Sequence, residues 1–197
     1  IGADVDLADS ISSIPDLRLK YGYDDQDFIV VSGGKMGKGK GTDKLICAVK
    51  ELSSHYPQLK LVLFGNFEDS TTSIQASNNG CITNHGWCNR TKTLELLKMS
   101  DVACWPIHHT TLIEDAIAVC TPIINRKTGT SEHLIEGNGL WIEKGTKDEI
   151  KNALLQLLSL DEIERNSVSL ACEKMKQIIS YHTIAQKVLE DISKFKK

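Results

Sequence analysis

Four lysines and five glycines crowd into the stretch Ser32-Gly-Gly-Lys-Met-Gly-Lys-Gly-Lys-Gly-Thr-Asp-Lys44, where only Asp43 opposes them and the local net charge is +3. Such a segment can hold an anion, and it admits three readings. The spacing of Gly34, Gly39 and Lys40 is that of a Walker A phosphate loop. The next residue, however, is Gly41 and not Ser or Thr, so the hydroxyl that would ligate magnesium is missing. Neither Leu61–Phe64 nor Val102–Trp105 ends in the aspartate of a Walker B strand. A flexible, solvated glycine loop would explain the glycines but not the lysines. The third reading is a diphosphate clamp. Lys35 and Lys40 project from a loop whose Gly33, Gly34, Gly39 and Gly41 allow close backbone approach, and the following helix adds a positive N-terminus. An ammonium about 4 Å from a phosphate oxygen gains ~4 kcal/mol at an effective surface dielectric, before desolvation costs. Two lysines therefore outweigh the helix end.

Other candidate groups carry less. Asp25-Gln-Asp27 has the form of a metal-binding DxD, but it precedes a strand and reads as a solvated acidic turn. The six cysteines are widely spaced, with no Cys-x-x-Cys and no Cys/His cluster at zinc spacing, so buried thiols in a reducing cytoplasm are expected and no metal site is. The chain has 197 residues, 41% hydrophobic and 25% charged, enough to bury one sizeable core and too apolar for disorder. Its net charge of -3 gives no general reason to expect nucleic acid or an anionic membrane as a partner. That balance is uneven, because residues 1–27 carry seven aspartates against Arg18 and Lys20. No apolar run approaches the ~18 residues of a membrane helix, so a soluble, cytoplasmic domain is expected. A start at Ile1, without methionine or a targeting signal, is expected of a piece of a larger protein.

Positioning these groups requires an alternation of short apolar runs with segments of helical period, the pattern of a parallel sheet with crossover helices. Strands are expected at Phe28–Ser32, Leu61–Phe64, Cys81–Thr83, Val102–Trp105, Pro122–Ile124 and Leu140–Ile142. Helices are expected at 43–54 with Thr42 as N-cap, after a cap at Thr91, at about Thr111–Val119, at 147–159, and from 161 to 195 without a break. The Ser/Thr/Asn-rich stretch between the second and third strands reads as loop. This is an α/β domain, a Rossmann-like doubly wound parallel sheet of five or six strands. Ligands in such sheets bind at the carboxyl ends of strands. The loops after Ser32 and after Trp105 carry the suggestive chemistry.

A collinear set of motifs resembles the retaining glycosyltransferases of the GT-B fold, in the group 1 or family 4 type. Gly34-Lys35 followed by Lys40-Gly41 is similar to the family's Gly-Arg…Lys-Gly signature. Leu61–Gly65 is similar to its second strand, His85-Gly86 to its Phe-x-Gly strand end, and Ser100–Ala103 with Pro106 to its Ala-Asp-Val strand and terminal proline. Glu114–Ala118 with Thr121–Ile124 resembles the Glu-Ala-Met-Ala helix and Pro-Val strand. Thr128-Gly129, Glu132 and Asn138–Leu140 match the closing segment, and Ile1–Asp4 resembles the sequence at the junction of the two GT-B domains. The resemblance covers about residues 1–160. It implies the C-terminal, donor-binding half of the fold, with 1–27 an interdomain linker and lead-in, and 28–197 the nucleotide-sugar-binding domain with C-terminal helices. The chain's own N-terminal domain, which would bind the acceptor, is then an expected partner.

The resemblance also implies roles. Lys35, where the family has arginine, and Lys40 would hold the donor diphosphate, lysine keeping the charge but losing the bidentate fork. Glu114 corresponds to the second of two family glutamates and would accept the ribose hydroxyls. Thr110, Thr111 and Leu112 fall where backbone amides meet the diphosphate, Gly33 and Gly34 line the approach, and Gly86 and Trp87 lie where the base is held. The family's first glutamate, which contacts the transferred sugar, is absent. About four residues of that loop are missing, and Ile107-His108-His109 occupies it, so His108 or His109 could contact sugar or phosphate instead. Cys120 replaces a usual glycine. The expected reaction moves a sugar from a UDP-sugar or GDP-sugar to a carbohydrate or lipid-linked acceptor with retention, without an obligatory metal. Peripheral membrane association would come through the other half. The piece alone is expected to bind without efficient transfer. A rival expectation is a non-catalytic, regulatory nucleotide-binding domain descended from a transferase.

Overall fold

The structure is a computed structural model that describes residues 2–77, 80–129 and 131–195. Ile1, part of the junction resemblance, lies outside the described residues. Six strands form one parallel sheet: β1 (Phe28–Met36), β2 (Leu59–Phe67), β3 (Ile82–Asn84), β4 (Val102–Trp105), β5 (Ile123–Arg126) and β6 (Gly139–Ile142). Their order, β3-β2-β1-β4-β5-β6, reverses direction between β1 and β4.

Side chains alternate across the strands and build one core on each face. On one face, Ile29, Val31, Ala103 and Ile123 pack beneath α2 (Ile14–Tyr21), α5 (Arg90–Lys98), α6 (Leu112–Ala118) and α8 (Glu162–Ile179). On the other, Val30, Leu61, Val102 and Ile124 meet α3 (Thr42–Ser53), α4 (Ser70–Ser77) and α7 (Lys147–Leu158). No helix among the described residues is long and apolar enough to cross a membrane.

The structure departs from the expected elements in instructive places. β1 runs on to Met36, so Gly33, Gly34 and Lys35 are strand residues paired with Phe64, Gly65 and Asn66, and the loop proper starts at Gly37. Gly34 and Gly65 pass so closely that a Cβ on Gly65 would lie 2.1 Å from the Gly34 carbonyl oxygen. The polar stretch after β2 contains α4, because Asp69 Oδ1 accepts the Thr72 amide (2.7 Å) and caps it. α5 is capped by Asn89 and not Thr91. Gly41, not Thr42, is the N-cap of α3. The C-terminal helix breaks at Ser180, whose hydroxyl accepts the Thr183 amide and starts α9 (Tyr181–Phe195). At that break Ala3 N–H donates to the Ile179 carbonyl and Tyr181 N–H to the Ala3 carbonyl. Cys120 stands at φ 59°, a left-handed conformation that explains why glycine is usual there in the resemblance.

Residues 1–27 hold two helices, α1 (Val5–Asp9) and α2, and contribute Ala8, Ile11 and Leu17 to the core. Arg18, 7% exposed, anchors them. Its Nε donates to the Met99 carbonyl, Nη1 to the carbonyls of Asp25 and Asp27, and Nη2 to Asp101 Oδ2 at 2.8 Å. Asp101 Oδ2 also accepts the Ile29 amide at 2.7 Å. The Asp25-Gln-Asp27 turn is thereby fixed at the amino end of β1, away from the carboxyl ends of the strands. Arg18→Ala leaves the buried Met99 carbonyl, the half-buried carbonyls of the acidic turn and the Asp101 carboxylate without their donor. It should cost about 3 kcal/mol in urea unfolding; a loss below about 1 kcal/mol would show that the lead-in is held by its apolar contacts alone.

Candidate functional site

The crevice of the site begins where β1 and β4 part. β1 pairs with β2 at nine positions but with β4 only at Val30 and Val31. Beyond Val31 the gap is spanned by the buried Trp105, whose indole N–H donates to the Gly33 carbonyl at 3.1 Å. Above that bond lies a cavity of about 180 Å³, lined by Ser32, Gly33, Lys35, Lys40, Thr42, Trp105, His108, His109 and Thr110. It sits at the carboxyl ends of the strands and at the point of strand reversal, where ligands bind in open α/β sheets. Complete ligand pockets usually measure roughly 300–1,000 Å³. This one is smaller than that, with a volume nearer that of a diphosphate than of a whole nucleotide sugar.

Sequence elements far apart supply its walls. Lys35 is on β1, and Lys40 lies in a short 3-10 turn, Lys38–Lys40, just before α3. Asp69 holds that turn from α4 by accepting the Lys38 amide at 3.1 Å, and the Thr42 hydroxyl accepts the Gly37 amide at 3.3 Å. Neither the Lys35 nor the Lys40 ammonium has an ion pair or hydrogen bond among the described residues. Two lysines thus line one cavity whose lining carries no carboxylate, and the positive potential there favours an anion.

The β4–α6 loop closes the cavity. His109 Nε2 lies 3.1 Å from Glu114 Oε1. Glu114 is 2% exposed and does not line the cavity; its Oε2 is buried without a partner. The structure therefore brings together Gly33, Lys35, Lys40, His108, His109 and Thr110, and sets Glu114 behind His109. Leu112 packs near Gly34, and Thr111 faces a separate polar cleft beside Arg90 and Asp115, which form an ion pair. Gly86 and Trp87 stay outside the cavity. They follow β3, two strand spacings or roughly 10 Å from β1, with the Gly86 carbonyl accepting the Gly65 amide (2.6 Å) and Trp87 73% exposed. Beside them, burial and the Lys92 ammonium push the His85 pKa down, which keeps its imidazole neutral. Sequence reasoning missed Trp105 and Asp69. An aromatic in a strand and an acid in a polar stretch give no sign of the backbone groups they will meet.

The family model for glycosyl transferases group 1 matches residues 13–175. The chain belongs to that family. None of the curated proteins searched matches it significantly. Among solved structures, the group 1 domain is similar to Anabaena Alr3699/HepE, described in complex with UDP and glucose, at TM-score 0.77 and 20% identity over 98% of this chain and 55% of that one. It is similar to sucrose-phosphate synthase from Thermosynechococcus elongatus, at TM-score 0.77 and 19% identity, covering 98% and 51%. The C-terminal domain of a group 1 family protein, LpcC of Francisella tularensis, aligns at TM-score 0.73 and 18% identity over 88% of this chain and 96% of that domain. The group 1 domain thus has the GT-B type of Rossmann-like fold, the size of a C-terminal domain, and spans about half the length of the longer matched chains.

Gly41 sets the height of the lysine turn. Its φ is 75°, and a Cβ there would lie 2.7 Å from Ile107 Cγ1 and 3.1 Å from Pro106 Cβ. Gly41→Ala should lower stability by about 1–3 kcal/mol and weaken pyrophosphate binding, because Lys40 must move with the turn. Thermal unfolding and calorimetric titration would measure both, and an unchanged pyrophosphate affinity would separate Lys40 from the turn's position.

Proposed function

We propose that this chain binds the nucleoside-diphosphate sugar of a retaining hexosyltransferase, a UDP-sugar or GDP-sugar, with the diphosphate on Lys35 and Lys40. The observation that carries the reading is the pair of unpaired ammonium groups in one cavity at the strand reversal. The nucleoside would extend from there over β2 toward Gly86 and Trp87, the exposed indole offering a face to the base. In transfer, charge builds on the departing diphosphate, and the two lysines oppose it in place. The acceptor hydroxyl attacks from the same face as the leaving group, and holding both reactants replaces the need for a side-chain nucleophile. Because two cations of the chain face the diphosphate, binding should not require magnesium.

The acceptor, a carbohydrate or lipid-linked alcohol, would be brought by a second, N-terminal domain. Tyr181, Ile184, Val188 and Ile192 recur at helical spacing along α9 and are exposed, an apolar face that such a domain can cover. Peripheral membrane contact would belong to that half, and the free thiols of Cys88, Cys104 and Cys172 suit a cytoplasmic setting. A second reading, a non-catalytic nucleotide-sugar sensor, is favoured by one feature. The loop Pro106–Thr111 contains no carboxylate to contact the transferred sugar.

Titration with UDP, GDP, ADP and ATP, in EDTA and in magnesium, tests the site. UDP or GDP should bind equally in both conditions, and Lys35→Ala or Lys40→Ala should each weaken binding about tenfold or more. Magnesium-dependent ATP binding would overturn the reading. With the full-length protein, transfer giving one retained anomer supports the transferase, whereas donor binding without turnover supports the sensor.

A further inference from the structure

We infer that His109 is a third cationic contact for the donor diphosphate, and that Glu114 serves as its anchor. This rests on the diphosphate reading of the cavity. The geometry is specific. One ring nitrogen, Nε2, is committed to Glu114 Oε1 at 3.1 Å. The other, Nδ1, makes no hydrogen bond among the described residues and is not buried, while the ring lines the same cavity as Lys35 and Lys40. Glu114 lies behind the ring at the start of α6, fully enclosed, with Oε2 unpartnered.

A buried carboxylate requires a cation or several donors, and among the described residues the one side-chain partner of Glu114 is His109. With Nε2–H donated to Glu114, a ring that is protonated at both nitrogens presents Nδ1–H to the cavity. The carboxylate fixes the ring's orientation and balances its charge, the same division of labour as in a carboxylate–histidine dyad. The charged groups facing the ring are Glu114 behind it and Lys35, Lys40 and His108 around the cavity. The lysines alone would repel an imidazolium. A bound diphosphate reverses that balance and gives Nδ1–H an acceptor. The same contact prevents Glu114 from offering both oxygens to a ribose diol, since one is engaged and the other is sealed in. It also gives a chemical use to the shortened β4–α6 loop, in which a histidine stands near the phosphate and a carboxylate does not stand near the sugar.

The test measures UDP, GDP and inorganic pyrophosphate binding to the chain and to its His109→Gln and Glu114→Gln variants. Measurements at about pH 6 and about pH 8 lie either side of the ordinary histidine value of ~6.5. His109→Gln should weaken all three ligands about tenfold at the lower pH and hardly at all at the higher. Uridine and guanosine, which lack phosphate, should be unaffected at either pH. Glu114→Gln should reproduce the pH-dependent loss, and the double variant should lose no more than either single one. If Glu114→Gln fails to fold, the His109→Gln ratio at the two pH values decides alone. Equal ratios at both pH values, or tighter binding in His109→Gln as the freed Glu114 reaches the ribose, would overturn the inference while leaving the two-lysine site intact. No binding of any diphosphate to the unaltered chain would overturn the site itself.

Discussion

The parting of β1 from β4 is the constraint on which the rest of the site depends. A strand that pairs at nine positions on one side and two on the other must leave an opening, and the opening here lies at the carboxyl end of the sheet. Trp105 limits how wide it becomes by joining its indole to the Gly33 carbonyl. Everything chemical is arranged around that bond: Lys35 continues the strand on one side, the histidines continue from Trp105 on the other, and the Lys40 turn comes down from α3. Because the sheet is parallel, all these groups leave from the same end, and their helices lead away from it.

Much of this was legible in the sequence. The alternation of apolar runs with helical segments specified a doubly wound sheet, since successive strand residues such as Ile29 and Val30, or Ala103 and Val102, are apolar on both faces and each face needs a layer of helix. The convergence of Lys35, Lys40, His108 and His109 followed from placing them just beyond strand ends. The errors have physical causes. The strand at Phe28 reads as ending before the glycines, because a glycine pair looks like a loop until another glycine lies opposite it, as Gly65 lies opposite Gly34. The helix at Ser70–Ser77 is weakly amphipathic, and its cap comes from Asp69 and not from a Ser or Thr. The break at Ser180 depends on the backbone of Ala3, nearly the whole length of the chain away.

The position of Glu114 was the hardest to read. Family resemblance assigns it a ligand, and spacing puts it on the first turn of a helix beside the cavity. Whether its carboxylate reaches the cavity depends on what the intervening loop contains. In this short loop the imidazole of His109 lies beside it, within hydrogen-bond distance. A residue's type and register can therefore match a family while its neighbours redirect what it touches.

The three tryptophans divide the domain into optical zones. Trp105 is buried in the cavity wall, Trp87 lies open on the rim beyond β3, and Trp141 sits half-buried on the edge strand at the far side of the sheet. Their indoles occupy different dielectrics, so their emission is spread across wavelengths. An anion in the crevice would perturb the emission of Trp105, while Trp87 and Trp141, which do not line it, would stay as internal references. The domain thus carries a reporter for its own crevice in a side chain of the cavity wall, without a dye.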